Sequence, residues 1–342
     1  MTGTSMDGVD AVAVAIEGRG LNMSASYLGM ASSDLGTLES LLRKLATQGG
    51  TKDELASAAL RLGSITSDTI SQLPVASIDA IALHGQTILH DPPTSIQLIN
   101  PQPIIDTFSC TVLTDPRQAD LQLGGQGAPI TPLADWIMFR SQTERTSIVN
   151  LGGFCNVTLL PADCAPNQIH GFDVCCCNLV LNAIARERLG TEFDVGGAVA
   201  SQGQVDDKVC ESLFEYLSEQ SKANRSLGSN DDIGTYALLI GSQLSTEDLL
   251  ASATKAIGNC ISGSLDTGRI LLAGGGVHNT QLIASIPNCG TTEVQGVPTQ
   301  AREAMAMAIL GALAEDGVSI TLPHITKRAE TTDVVGWVQA SP

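Results

Sequence analysis

The chain has 342 residues, a formal net charge of −18 at pH 7, 43% apolar residues and 3% aromatics. That length accommodates about two domains of ~100–200 residues each, and the apolar residues, mostly Ala, Val, Leu and Ile, can fill their cores. The negative charge excludes a nucleic-acid backbone as the expected partner, and no apolar stretch reaches the ~18 residues of a membrane span.

The first ten residues, Met1-Thr-Gly-Thr-Ser-Met-Asp-Gly-Val-Asp10, run into an apolar strand over 11–16. Backbone N–H groups and hydroxyls in such a bend can cradle phosphate oxygens, and a carboxylate can hold hydrated Mg²⁺. An ordinary hairpin turn is the equal alternative for this segment alone. Periodicity then predicts helices over 35–48 and 51–71 and buried strands over 78–83 and 111–114, with the loop His90-Asp-Pro-Pro-Thr94 between those strands. The segment Gly124-Gly-Gln-Gly-Ala-Pro129 leads into a helix over 133–140.

The scheme then restarts. A strand over 147–150 enters the turn Leu151-Gly-Gly-Phe-Cys-Asn156 and leaves as a strand over 157–160. Helices are expected over 179–189, 204–221 and 246–265, then a strand over 269–272 entering Ala273-Gly-Gly-Gly-Val-His-Asn279, and a last helix over 299–315. Two α/β halves, each opening on a strand–glycine turn–strand, suggest an internal duplication with a cleft, divided as 1–132 and 133–342. Glycine turns at three strand ends suit close backbone approach to a ligand, or tight turns and packing alone. The nine cysteines, odd in number and without paired spacing, point to reduced thiols in a cytoplasm.

Taken in order, these segments resemble the anhydro-N-acetylmuramic acid kinase family of the sugar kinase/Hsp70/actin superfamily. The resemblance is carried by Gly3-Thr-Ser-Met-Asp-Gly-Val-Asp10, His84-Gly-Gln-Thr87, Asp115-Pro-Arg117 with Asp120, and Gly124-Gly-Gln-Gly-Ala-Pro129. It continues through Asn150-Leu-Gly-Gly-Phe-Cys-Asn156, Gly171-Phe-Asp173, Ala273-Gly-Gly-Gly276 with Asn279, and Gly296-Val-Pro with Ala301-Arg-Glu-Ala304. It implies an α/β fold of two RNase H-like (actin-like ATPase) domains with a central cleft for ATP, Mg²⁺ and a small anhydro-sugar. It also implies the reaction: water opens the 1,6-anhydro bridge at C1 while O6 takes the γ-phosphoryl group, giving N-acetylmuramic acid 6-phosphate and ADP for cell-wall sugar recycling. Glycosidic cleavage ordinarily takes two carboxyl groups; with O6 captured by phosphorus, one base suffices.

By the same resemblance Asp173 is that base. Gly3, Thr4, Ser5, Met6, Asp7, Gly8, Val9 and Asp10 wrap the phosphates, with Asp7 near the metal. Asn150, Gly152 and Gly153 form a second phosphate hairpin, and Gly274, Gly275 and Gly276 approach the adenosine. Thr87, Arg117, Gln126 and Glu303 face the sugar. A homodimer is implied, with no interface legible in the sequence. Residue by residue, other readings stay open: Asp115 and Asp120 bracketing Arg117 in a structural ion pair, His84 as a satisfied core histidine, Glu303 as an exposed helix residue.

Four departures from the family pattern carry expectations of their own. A strand precedes the Gly-Thr-Ser turn in the family, and this sequence begins inside the turn, so the first sheet is expected to lack that strand and expose an edge. The base normally sits in Asp-Thr-Gly-Pro-Gly-Asn, here Asp173-Val-Cys-Cys-Cys-Asn178. A Cβ at a glycine of positive φ would cost about 1–2 kcal/mol, and adjacent thiols near a helix start could have a lowered pKa and act as a redox brake. The Lys-Ser-Thr-Gly-Arg-Glu segment is reduced to Arg225-Ser-Leu-Gly-Ser-Asn230, and Asn182 and Gln300 replace two aspartates. A kinase for another anhydro-sugar such as levoglucosan, and a member that has lost catalysis, are the alternatives.

Overall fold

The computed structural model describes residues 1–2, 6, 8–222, 226–228, 231–265, 267–329 and 338–340. The chain divides into two compact units, Met1–Phe139 with Ala301–Pro342, and Arg140–Gln300. This differs from a single cut after 132, because the last long helix returns to the first unit. Its anchor is a buried ion pair from Arg302 to Asp135, with Arg302 also donating to Thr131 Oγ1 at 3.2 Å.

The first unit runs β1 (Gly8–Glu17), β2 (Ser24–Asp34), α1 (Leu38–Gln48), α2 (Lys52–Ile70), β3 (Ala80–Leu83), β4 (Gln86–Asp91), β5 (Thr94–Leu98), α3 (Gln102–Thr107), β6 (Thr111–Thr114), α4 (Gln118–Gln122) and α5 (Pro132–Phe139). The α2 helix starts where its chemistry says it should. Thr51 accepts from the Glu54 N–H while the Glu54 carboxylate accepts from the Thr51 N–H, a reciprocal cap. Its inward stripe Ala58, Leu62, Thr66 and Ile70 follows the helical period. The expected loop at 90–94 is the tip of a hairpin, β4 pairing with β5 from Gln86↔Leu98 to Asp91↔Thr94.

The second unit runs β7 (Thr146–Leu151), β8 (Phe154–Leu160), β9 (His170–Cys176), α6 (Asn178–Leu189), α7 (Asp207–Lys222), α8 (Gly234–Ile240), α9 (Thr246–Gly263), β10 (Arg269–Ala273), α10 (Thr280–Ala284) and β11 (Cys289–Thr291). Its strands make one sheet in the order β11-β10-β7-β8-β9, with β7 antiparallel to β8 and parallel to β10. All six residues of β7 are buried, as a central strand requires. The core joins Val149, Leu151 and Val157 to Leu213 and Leu217 of α7 and Ile257 and Ile261 of α9.

The chain then re-enters the first unit as α11 (Arg302–Glu315), α12 (Pro323–Thr326) and β12 (Val338–Ala340). The two units differ in their described strand pairing. Among the described residues, the strands of the first form three separate ladders, β1-β2, β12-β6-β3 and β4-β5. No helix among the described residues is long and apolar enough to cross a membrane.

Candidate active site

In the second unit, β7 and β10 are parallel neighbours, Asn150 opposite Ala273, so both glycine turns leave the same end of the sheet. Gly274 has φ 82°, and a Cβ there would lie 2.7 Å from Asn150 Oδ1 and 3.0 Å from the Leu151 carbonyl oxygen. A Cβ on Gly276 would lie 2.6 Å from that of Leu151. These two glycines therefore serve close packing of one turn on the other. Gly275 is exposed with nothing within 4 Å of its absent Cβ, so its backbone is open to a ligand.

The other turn closes a helix. The Gly153 carbonyl accepts from the Cys177 N–H at 2.8 Å and the Gly152 carbonyl from the Asn178 N–H at 3.1 Å, at the start of α6. Amides at a helix start have no partner within the helix, so these bonds satisfy donors that would otherwise be orphaned. Asn178 Nδ2 returns a bond to the Leu151 carbonyl at 2.9 Å.

Asp173 stands half-buried on β9, opposite Asn156. The next registered pair is Cys155↔Cys175, so Val174 is an extra residue and the strand bulges there. A bulge bends its strand and re-aims the neighbouring side chain. The Leu227 N–H donates to Asp173 Oδ2 at 2.7 Å. That donor comes from the very segment that departs from the family pattern.

The cysteine triplet escapes the positive-φ penalty. None of 174–177 has positive φ, and Cys177 lies at φ −124°. Cys175, Cys176 and Cys177 are all fully buried in the apolar core. The expectation of lowered thiol pKa values is overturned. Burial pushes Cys177 up and Cys176 to about 12, while Cys175 is raised by its bond with the Cys260 thiol and by burial. The helix start does act, through the Asn178 amide on Cys177 and the Val180 amide on Cys176, and burial outweighs it.

In the first unit, Gly3, Thr4, Ser5 and Asp7 lie outside the described residues. Met6 and Val9 are buried in the apolar core with Leu38 and Leu42, which leaves only their backbone for a phosphate. Gly8, Val9 and Asp10 belong to β1 rather than to a turn, and Asp10 Oδ1 accepts from Ser32 Oγ at 2.6 Å. Arg117 reaches the loop that carries Gln126, whose own N–H donates to the Thr326 carbonyl at 2.7 Å. Arg117 donates to the Gly127 carbonyl at 2.7 Å and meets His84 Nε2 at 3.1 Å. Thr87 Oγ1 accepts from Gln97 at 3.1 Å, and Ser95, bonded to Gln97, gives its carbonyl to Gln118 at 3.2 Å. Glu303 is half-buried in the first turn of α11 and so is not the exposed residue of the bland reading.

His84 fits the satisfied core reading. Its ring is buried, Nδ1 faces the Gly85 carbonyl at 3.0 Å, and burial followed by the Arg117 guanidinium lowers its pKa to about 3. It is neutral, with Nε2 accepting from Arg117. Asp120 does not bracket Arg117. It is fully buried, accepts from the Gly127 N–H at 2.8 Å and from Thr321 and Thr326 at 2.7 Å each, and pairs with Arg328 at 3.1 Å. Neither Arg328 nor the Leu227 amide was singled out from the sequence. Gln220 was missed too, although its place on the apolar stripe of α7 with Leu213 and Leu217 is a readable signal.

The family model described as anhydro-N-acetylmuramic acid kinase matches residues 1–339. The chain belongs to this family. A relative of that name from Salinibacter ruber is 29% identical across 97% of this chain and 93% of its own. Another, from Pseudomonas syringae pv. syringae, is 30% identical across 95% and 94%. Solved structures show remote likeness. Component A of (R)-2-hydroxyglutaryl-CoA dehydratase from Acidaminococcus fermentans is 11% identical with a TM-score of 0.41, covering 90% of this chain and 99% of that one. A ROK family glucokinase from Streptomyces griseus, in complex with glucose and AMPPNP, is 10% identical with a TM-score of 0.31 over 88% and 99%. Likeness at those scores carries no argument.

Proposed function

We propose that this chain phosphorylates 1,6-anhydro-N-acetylmuramic acid at O6 with ATP while water opens the anhydro bridge, yielding N-acetylmuramic acid 6-phosphate and ADP. Membership of the family supports the reaction class. The observation that carries the residue assignment is Asp173, half-buried at a strand bulge with Oδ2 fixed by a backbone N–H. In this reading Asp173 takes a proton from water as the water oxygen bonds to C1. The C1–O6 bond breaks, and O6 takes the γ-phosphoryl group that ATP supplies. A positioned base contributes about 10²–10⁴-fold to such a step.

The open backbone at Gly275 supports a nucleotide beside the β10 turn, with Gly274 and Gly276 serving as packing that shapes it. Asn150 lies on β7 and Gly152 and Gly153 in the adjoining turn, and residues 3–10 would meet the phosphates. Among the described residues no group of three His, Cys, Asp or Glu side chains could hold a metal. Mg²⁺ would be carried by the phosphates with Asp7. Thr87, Arg117, Gln126 and Glu303 would face the sugar, Arg117 answering its carboxylate. The strand order of the second unit supports an RNase H-like domain, and we assign the first unit to the same class. All nine cysteines are thiols, which suits a cytoplasmic protein; the resemblance adds a homodimer.

The test is ADP release from ATP-Mg²⁺ with and without the anhydro-sugar, with product identified by mass. Sugar-dependent ADP and the 6-phosphate are expected. ADP release with levoglucosan alone, or with neither sugar, would overturn the assignment.

A further inference from the structure

Gln220 is only 6% exposed, set into the apolar stripe of α7. An amide buried there is costly unless both of its ends are bonded. Both are: Oε1 accepts the Cys176 N–H at 2.9 Å, and Nε2 donates to the Asp231 carbonyl at 2.7 Å. These partners sit on two arms that meet again at Asp173. Cys176 lies on β9, the strand of Asp173. Asp231 closes a turn with Gly228: its N–H donates to the Gly228 carbonyl at 2.8 Å, and its carboxylate accepts the Gly228 N–H at 2.8 Å. Leu227, the residue before Gly228, donates its N–H to Asp173 Oδ2 at 2.7 Å. The hydrogen bonds thus form a closed circuit from Asp173 along β9, through the Gln220 amide to Asp231, across the Asp231–Gly228 bonds to Leu227 and back to Asp173.

We propose that Gln220 is a positioning residue for the reaction: its amide fixes the spacing between β9 and the backbone of Leu227, Gly228 and Asp231, and so keeps the Leu227 N–H on the Asp173 carboxylate. This rests on Asp173 being the base. Glutamine suits the position because one end must accept and the other donate. An apolar residue would pack on α7 equally well and would leave both a strand N–H and a turn carbonyl without their partner.

The consequence has a sign. A hydrogen bond to an ionised carboxylate favours the ionised form. Slackening the turn therefore raises the proton affinity of Asp173 and loosens its aim at the attacking water. The base works ionised, so turnover rises with pH through its pKa, and that acid limb moves to higher pH. Damage to packing alone would lower thermal stability without moving the limb.

The measurement is steady-state turnover with ATP and the anhydro-sugar across pH for Gln220→Met and Leu227→Pro, the second of which deletes the N–H itself. Expected for both is a kcat loss of about 10- to 100-fold, an unchanged KM for ATP, and an acid limb raised by about one unit. A folded Gln220→Met with parental kcat, or with lower kcat and an unmoved acid limb, overturns the proposal. If Gln220→Met does not fold, Gln220→Asn, which keeps both amide ends on a shorter arm, gives the same two-way readout. Asp173→Asn separates the premises. Parental turnover in that variant removes the base assignment itself, whereas its inactivity beside an unaffected Gln220→Met overturns only the role of Gln220.

Discussion

Asp120 in the first unit and Asp173 in the second are both carboxylates that accept from a backbone N–H, yet they are held in opposite ways. Asp120 is fully buried, and its oxygens are taken up by a backbone N–H, two threonine hydroxyls and the Arg328 guanidinium. Asp173 is only partly buried, at a bulge, with Oδ2 on a backbone N–H. A carboxylate saturated in this way joins elements: through Arg328, Thr321 and Thr326, Asp120 ties the returning C-terminal segment to the glycine loop at 124–129. A carboxylate aimed but still accessible is equipped to move a proton. With Asp173 as the proposed base, the difference separates a structural carboxylate from a catalytic one, and it can be broken experimentally from either side.

The largest effect on stability is expected from Asp120→Ala. It leaves the Arg328 charge buried without its partner, a loss of about 3–5 kcal/mol, visible as a lowered midpoint in denaturant unfolding. Retained stability would mean that the saturated carboxylate is not structural. Gly274→Ala comes next. A Cβ there enters the space of Asn150 and Leu151 at positive φ, and about 1–3 kcal/mol of strain should lower the melting temperature.

His84 provides a pH test. Its folded pKa is lowered to about 3, whereas the unfolded side chain protonates near its ordinary value of about 6.5. The unfolded state therefore binds the extra proton first, and the stability this neutral ring contributes is complete above that value and lost as pH falls through the window. His84→Gln should flatten the fall in melting temperature between about pH 6.5 and about pH 5; an unchanged slope would assign the acid loss to other groups. The smallest effect on stability belongs to Gly275→Ala. Its Cβ meets nothing within 4 Å, so the melting temperature should not move while ADP binding by calorimetry weakens. Unchanged binding would remove Gly275 from the nucleotide side.

Much of the scaffold was legible in the sequence because it is locally encoded. The strand at 111–114 and the helix from the Thr51–Glu54 cap follow from apolar runs and capping chemistry close in sequence. Of the β4–β5 hairpin the sequence marks only the 90–94 tip, because Gln86, Thr87 and His90 interrupt the apolar pattern of its first strand. The division of the chain was misplaced because the Arg302–Asp135 pair spans 167 residues. At the candidate site, Asp173 and the glycine turns were legible through the resemblance. What holds Asp173 was not, since a backbone N–H leaves no mark in side-chain identity and Leu227 lies 54 residues away. The thiols at 175–177 look activated beside a helix start until their burial is seen, and burial decides their protonation.

The central claim is that Asp173 is the base. It is tested most directly by sugar-dependent ADP release of Asp173→Asn against the parent chain, with ADP-Mg²⁺ affinity measured in parallel. The account predicts loss of at least about 10²-fold in turnover with nucleotide affinity retained. Turnover at the parental rate would contradict it.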